Sequence, residues 1–391
     1  MRERPWERAK IACGFLGGLL GVFAVPITSE AHPLLATIAN ARAEVQAATT
    51  EAKWCVTRQR VRRRWRVRGS NCSVVAAAVG VPQQGTWKMI AFFWNADTPD
   101  VGAYRLERVG PRKGVNTQFL VRRRIARGVY VAMGDAILAW KIPIRQRSGT
   151  WTTVVYTPYS EALHRPELIT VGEQMLAREI QSARARLVAR GVRSTTFSDQ
   201  LVTAVIPAAT TETITVVEKI DHDEFADCQR SEQASVRAAC LQRLMEVPYV
   251  VLAVNGDDAY RCAVSGAGAR GYMQFMRGTW SMIQRAYPAA ELPSFAEGAH
   301  DHVVSIMAAI LLNDYNLRFL EEPHRTKLGA EPEFLTLFSA AAYNGNPKWA
   351  KKAIARCGVR WMDVQHCGIL RRETAVYLQK VGAVWPTISM I

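Results

Sequence analysis

The sequence predicts an α+β chain in which a β-rich N-terminal region precedes an all-α C-terminal region, and three observations predict it. From 47 to 160, runs of β-branched and aromatic residues alternate with Gly and Pro at short intervals, as in short strands joined by turns. From 214 to 391 apolar residues recur instead at helical spacing. Between them, 168–213 reads as a connecting helix followed by a linker. A length of 391 residues fits two or three domains, and 49% hydrophobic against 21% charged residues excludes a disordered chain and a polytopic membrane protein.

The first ten residues carry Arg2, Arg4, Arg8 and Lys10, and the uncharged apolar run Ile11 to Ile27 follows. A basic stretch before an apolar one is the outline of an export signal. Ser29-Glu30-Ala31 offers a small-x-small cleavage site, so 1–31 is expected either to be removed or to stay as a membrane anchor through 11–27. The protein is thus expected at the cell envelope, on its periplasmic or extracellular face, where disulfides form. Three local pairings suggest themselves, Cys55 with Cys72, Cys228 with Cys240 and Cys357 with Cys367, leaving Cys262 over.

In the β-rich region, strands are expected over Met89–Trp94, Gln118–Arg123, Gly128–Met133, Ala136–Ile144 and Thr150–Thr157. Arg58, Arg60, Arg62, Arg64, Arg66 and Arg68 occupy every second position, and a single strand would set all of them on one face. Such a row repels itself unless anions lie against it. It therefore reads either as a contact for phosphate of a wall polymer or lipid, or as the solvated face of a hairpin. With 50 Lys and Arg against 34 Asp and Glu, the formal charge of +16 favours polyanionic surroundings generally. Nucleic acid is not the expected partner, because no recognition-helix or zinc-finger pattern is present.

Thr170 with Glu173 has the form of a capping box, and Leu176, Ile180, Ala183 and Leu187 continue a helix that Gly191 closes. Ser194 to Thr213, rich in Ser, Thr, Ala and Pro, reads as the boundary before the helical domain. Beyond it, Val303, Ile306, Met307, Ile310 and Leu311 line one helix face and Phe334, Leu337 and Phe338 another, as core. His300-Asp301-His302 reads as a solvated first helical turn rather than a metal site.

Three motifs in the helical half carry a function. Ser265-Gly266-Ala267-Gly268-Ala269-Arg270-Gly271-Tyr272-Met273-Gln274-Phe275-Met276 is followed by Gly278-Thr279. Ala341-Ala342-Tyr343-Asn344-Gly345-Asn346-Pro347 comes next, and Glu373-Thr374-Ala375-Val376-Tyr377 closes the series. The small residues would let backbone approach a ligand closely, and Gln274 could both donate and accept hydrogen bonds. Tyr343 and Tyr377 add flat faces with a hydroxyl at the tip. In order and content the motifs resemble those of the soluble lytic transglycosylase domain, over roughly 246–384.

That resemblance implies a lysozyme-like fold and a peptidoglycan glycan strand as substrate, with no cofactor. Ser265, Met273, Gln274, Tyr343, Asn344, Glu373 and Tyr377 would then be the substrate-binding set. It also implies a single carboxylate acid that protonates the bond between N-acetylmuramic acid and N-acetylglucosamine, after which the muramyl 6-hydroxyl attacks. Water in its place would make the enzyme a muramidase. The family's acid is a Glu a little before the motif serine, and the corresponding position here is Gly256. Asp257, one position on, is the first candidate acid, although its shorter side chain must come nearer by about 1.5 Å, one bond length. Glu218 is the second and Glu246 the third. The alternatives are a glycan-binding protein without catalysis and a component of an envelope secretion machine.

Overall fold

The structure, a computed structural model, describes residues 33–48, 52–61, 64–93, 100–109, 118–145, 151–322, 324–328 and 331–390. Contacts divide the chain into two units: the residues up to Ile169 together with Val250–Cys262, and Thr170–Tyr249 together with Ala263–Ile391. The first is mainly β and the second is helical. The apolar run at 11–27 lies outside the described residues, and no described helix is long and apolar enough to cross a membrane.

The β unit opens with a helix absent from the sequence expectations, α1 (Pro33–Ala47), which buries Leu34, Ile38, Ala41 and Val45 along one stripe. Among the described residues nine strands follow: β1 (Ala52–Val61), β2 (Arg64–Val81), β3 (Thr86–Phe93), β4 (Asp100–Val101), β5 (Tyr104–Val109), β6 (Gln118–Ala126), β7 (Val129–Val131), β8 (Ala136–Arg145) and β9 (Trp151–Tyr156). One antiparallel sheet runs β1-β2-β8-β9 with β3 also on β2, and the other runs β4-β5-β6-β7. The expected strands are present, the third of them shortened to β7.

The arginine run is not one strand. β1 ends at Val61 and β2 begins at Arg64, and the register sets Arg58 opposite Val67, Arg60 opposite Trp65 and Gln59 opposite Arg66. The run is thus divided between two antiparallel paired strands, as the hairpin alternative expects. The remaining expectations for this segment, the Cys55–Cys72 bridge and the anion contact, fall on side chains outside the described set.

Alternation along β8 buries Ile137 to Trp140 on both faces, because α1 packs on this sheet. Trp140 meets Phe119 of the second sheet edge to face at 5.2 Å and stacks with Phe92 at 6.5 Å, joining the two sheets through one aromatic cluster. Arg123 and the buried Asp135 pair at 2.5 Å. The returning segment Val250–Cys262 is held by Asn255, whose amide accepts from Thr157 N (2.8 Å) and Arg42 Nη1 (2.8 Å) and donates to Thr157 O (2.9 Å).

The helical unit uses α2 (Pro166–Ala189), α3 (Val202–Val205), α4 (Ala208–Val217), α5 (His222–Gln229), α6 (Ala234–Asn255), α7 (Arg277–Ala286), α8 (Phe295–Gly298), α9 (His302–Leu317), α10 (His324–Lys327), α11 (Pro332–Asn344), α12 (Pro347–Cys357), α13 (Val364–Cys367) and α14 (Arg372–Ile388). α2 begins at Pro166, so Thr170 is inside the helix and the expected capping box does not form. Proline fits the first helical position because its missing N–H would have had no partner there.

Residues 194–213 are not a linker. Ser194 Oγ, Thr195 N (2.8 Å) and Tyr287 Oη (2.6 Å) all donate to the buried Asp314 carboxylate of α9. Further on, α4 buries four threonines, and three of their hydroxyls have partners: Thr211 and Thr215 bond the carbonyls of Pro207 (3.3 Å) and Thr211 (2.7 Å) one turn back, and Thr210 meets Thr336 of α11 at 2.8 Å, while Thr213 Oγ1 has none among the described residues. Thus Thr, read as a loop former, builds the interior here. The lysozyme-like domain expected to begin at 214 would start in the middle of α4.

α4, α9, α11 and α14 pack on one another, and α9 is buried nearly all round. Cys228–Cys240 ties α5 to α6 and Cys357–Cys367 ties α12 to α13, as the spacing suggested. Cys262, expected to be left over, is disulfide-bonded. Trp140→Ala is expected to lower the stability of the β unit by about 3–5 kcal/mol, the usual cost of emptying a large aromatic site, read from denaturant unfolding followed by circular dichroism.

Candidate functional site

α4 ends at Glu218, whose backbone N–H still bonds Ile214 O at 3.0 Å while its own backbone stays helical (φ −60°, ψ −20°). A carboxyl group at this end of a helix faces the negative pole of the peptide dipoles. It keeps part of its surface open to solvent, but the protein around it strips away most of the water that would stabilise the charge. That desolvation pushes the Glu218 carboxyl above the ordinary carboxylate range, against Lys219, Tyr377 and Lys380, which favour ionisation; Glu373 adds to the rise.

Two of the motifs supply the walls of this site. Tyr343, at the end of α11, and Tyr377, on the inner face of α14, are both pushed well above the ordinary phenol range, by burial first and then by the nearby Glu218 charge. Tyr377 is 5% exposed, and its hydroxyl is buried without a partner of ordinary hydrogen-bond geometry among the described residues, yet it lies close enough to Glu218 for each group to shift the other. A buried hydroxyl beside a carboxyl is placed to steady the anion when the proton leaves.

The first motif in the chain is a tight loop, and its glycine is obligatory. Gly271 has φ +70°, and a Cβ there would sit 1.5 Å from the Ala299 carbonyl oxygen. The loop meets α11 through the Tyr343 hydroxyl, which donates to Met273 O at 2.6 Å, and through Phe275, edge-on to the Tyr343 ring at 6.0 Å. Tyr343 thereby couples the first and second motifs and faces Glu218 together with the third.

Individual predicted residues serve differently from expectation. Gln274, in the left-handed region at φ +51°, donates its Nε2 to Gly271 O (2.8 Å), so its amide nitrogen closes the loop instead of reaching outward. Ser265 Oγ accepts from Ala269 N at 3.0 Å and holds the turn before it. Met273 is fully buried and contributes through its carbonyl. Asn344 has a buried Oδ1 without a partner among the described residues, and Glu373 is exposed in the first turn of α14. Asp257 is exposed in a short 3₁₀ turn of the β unit's returning segment, and Glu246 accepts from Gln242 at 2.7 Å on α6. Of the three candidate acids, Glu218 is the one gathered with the motif tyrosines.

Sequence reasoning missed Lys219 and the shell behind it. Lys219 Nζ lies 4.7 Å from the centre of the Tyr272 ring, and Tyr272 stacks on His302 at 4.0 Å. His302 Nδ1 contacts Glu179 Oε1 at 2.9 Å. The His-Asp-His triplet does begin α9, with Asp301 accepting from Val304 N at 2.9 Å, but its histidines are buried and not solvated, because α2 and the motif loop cover this end. Among the described residues there is no cluster of His, Cys, Asp and Glu able to hold a metal ion. Comparison with family models, curated proteins and solved structures returns no match for this chain.

The raised Glu218 carboxyl makes stability pH-dependent with a definite sign. A group whose folded pKa exceeds its unfolded one binds more protons in the folded state, so its contribution is full below the unfolded value, about 4.3, and is lost as pH rises through the folded value. Glu218→Gln, neutral throughout, is therefore expected to melt above the parent at pH 8 and to converge with it near pH 4 in differential scanning calorimetry.

Proposed function

We propose that the helical unit is a peptidoglycan-cleaving lytic transglycosylase whose acid is Glu218. The observation that carries this reading is a carboxyl of raised pKa, still partly open to solvent, set beside Tyr343 and Tyr377 from two motifs that resemble the lytic transglycosylase signature. A general acid must hold its proton near the working pH and meet its target at hydrogen-bond distance. Desolvation provides the first condition, and the open part of Glu218 is where a glycan would supply the second.

In the reaction, protonated Glu218 gives its proton to the glycosidic oxygen between N-acetylmuramic acid and N-acetylglucosamine as the C1–O bond breaks. The resulting carboxylate then takes the proton of the muramyl 6-hydroxyl as that oxygen bonds to C1. The products are a 1,6-anhydromuramyl end and a free N-acetylglucosamine 4-hydroxyl, and Glu218 is again protonated. One carboxyl suffices because the nucleophile comes from the substrate, in contrast to the paired carboxyls of most glycosidases.

The test is mass spectrometry of soluble products after the oxidised full-length protein is incubated with peptidoglycan. Anhydromuropeptides are expected from the parent and from Asp257→Asn, while Glu218→Gln slows their release by about 10²–10⁴, the usual contribution of a general acid. Hydrated muropeptides would indicate a muramidase instead. Pelleting with peptidoglycan without release by the parent would support a binding protein and overturn the enzymatic reading.

A further inference from the structure

The residue after the candidate acid is a lysine, and the structure surrounds it in a way that a solvated surface lysine does not require. Its neighbours form a connected series: Lys219 over Tyr272 at 4.7 Å, Tyr272 stacked on His302 at 4.0 Å with an interplanar angle of 17°, and His302 against Glu179 at 2.9 Å. The His302 and Glu179 side chains are 4% and 12% exposed. Tyr272 is fully buried and cannot swing aside, since Gly271 before it is pinned against Ala299 and Met273 after it accepts from Tyr343. A cation over the face of an immobile aromatic ring is held by the ring's negative face while its stem is buried.

We propose that Lys219 is a positioning residue for the Glu218 acid: its ammonium, seated on Tyr272, holds the carboxylate that Glu218 becomes once its proton has passed to the glycosidic oxygen, and the Glu179–His302 pair behind Tyr272 fixes that seat. The inference rests on the reading of Glu218 as the acid. Of the other groups facing Glu218, one is a second cation with a smaller pull on the carboxylate than Lys219. Lys380 of α14 is buried with its Nζ bonded to Ile220 O at 2.7 Å, which ties down the turn after Glu218; Glu373, also of α14, repels the carboxylate; Tyr343 of α11 and Tyr377 of α14 are neutral hydroxyls. Lys219 is itself pushed down to about 8 by desolvation, opposed by the Glu218 charge, so the pair loses much of its mutual support as pH rises past that value.

Carbon-13 NMR titration of the Glu218 carboxyl is the test, in the oxidised full-length protein, for the parent, Lys219→Met and Lys219→Arg, alongside the kcat of each on glycan strands. Removing the cation in Lys219→Met is expected to raise the Glu218 midpoint by about one to two pH units and to lower kcat by about tenfold or more, each pH unit corresponding to a tenfold change in equilibrium. Lys219→Arg, which keeps the charge and stacks well on tyrosine, is expected to recover most of both. A folded Lys219→Met protein with an unmoved Glu218 midpoint would overturn the proposal, as would an arginine variant no better than the methionine one. If Lys219→Met does not fold, the arginine variant still decides, because a midpoint within about half a pH unit of the parent's is required of it. The titration needs no turnover, so a parent protein without glycan cleavage would defeat the proposed function while leaving this coupling separately measured.

Discussion

A carboxyl group at the end of a helix, taken largely out of water, is an unfavourable arrangement, and the helical unit is organised around one. Glu218 terminates α4, where the peptide dipoles present negative charge, with Tyr343 of α11 and Tyr377 of α14 near it and Lys219, the next residue, over Tyr272 of the loop. Such a site persists when the neighbouring elements are fixed by other contacts. Here they are: the Asp314 network secures the chain leading into α4, the Tyr343–Met273 bond secures the loop, and Lys380 secures the turn after Glu218. The cost of the raised carboxyl is thus carried by packing elsewhere, as is general for sites that store unfavourable chemistry.

The same contacts explain why the three motifs belong together. Each is a short segment whose own conformation is local: a loop closed by Ser265 and Gln274 on its own backbone, the end of α11, and the first turns of α14. None of them contains Glu218. Their common property is that Tyr343 and Tyr377 converge on a residue from a fourth element, α4, that none of them contains. The candidate site is therefore a property of the packing of α4, α11 and α14.

Much of this was legible in the sequence, and the failures have physical causes. Alternating β-branched and aromatic residues located β3, β6, β8 and β9, and the close cysteine pairs gave both described bridges, since those patterns report local geometry. For the alternating arginines, the period alone leaves a single strand and a hairpin equally open, because between Val61 and Arg64 the sequence has no Gly, Pro or Asn to favour one. Residues 194–213 were misread because Thr is ambiguous: its hydroxyl favours loops when exposed and bonds the preceding helical turn when buried. Glu218 lies far from Ser265 along the chain, with α5 and the whole of α6 between them, so spacing alone does not show that it is gathered with the motif tyrosines. The one advance signal was the apolar pair Val216-Val217 before Glu218, which marks an ordered element without stating what it faces.

The central claim is that a glycan strand meets this protein at Glu218. Its most direct test is a crystal structure of the Glu218→Gln protein, in which cleavage is blocked, with a bound oligosaccharide of alternating N-acetylglucosamine and N-acetylmuramic acid. The account predicts the scissile glycosidic oxygen about 2.6–3.2 Å from the residue 218 amide, within hydrogen-bond reach, and the flanking sugars against the loop at 271–276 and the Tyr343 end of α11. An oligosaccharide ordered elsewhere, with the surface around residue 218 empty at saturating sugar, would contradict it.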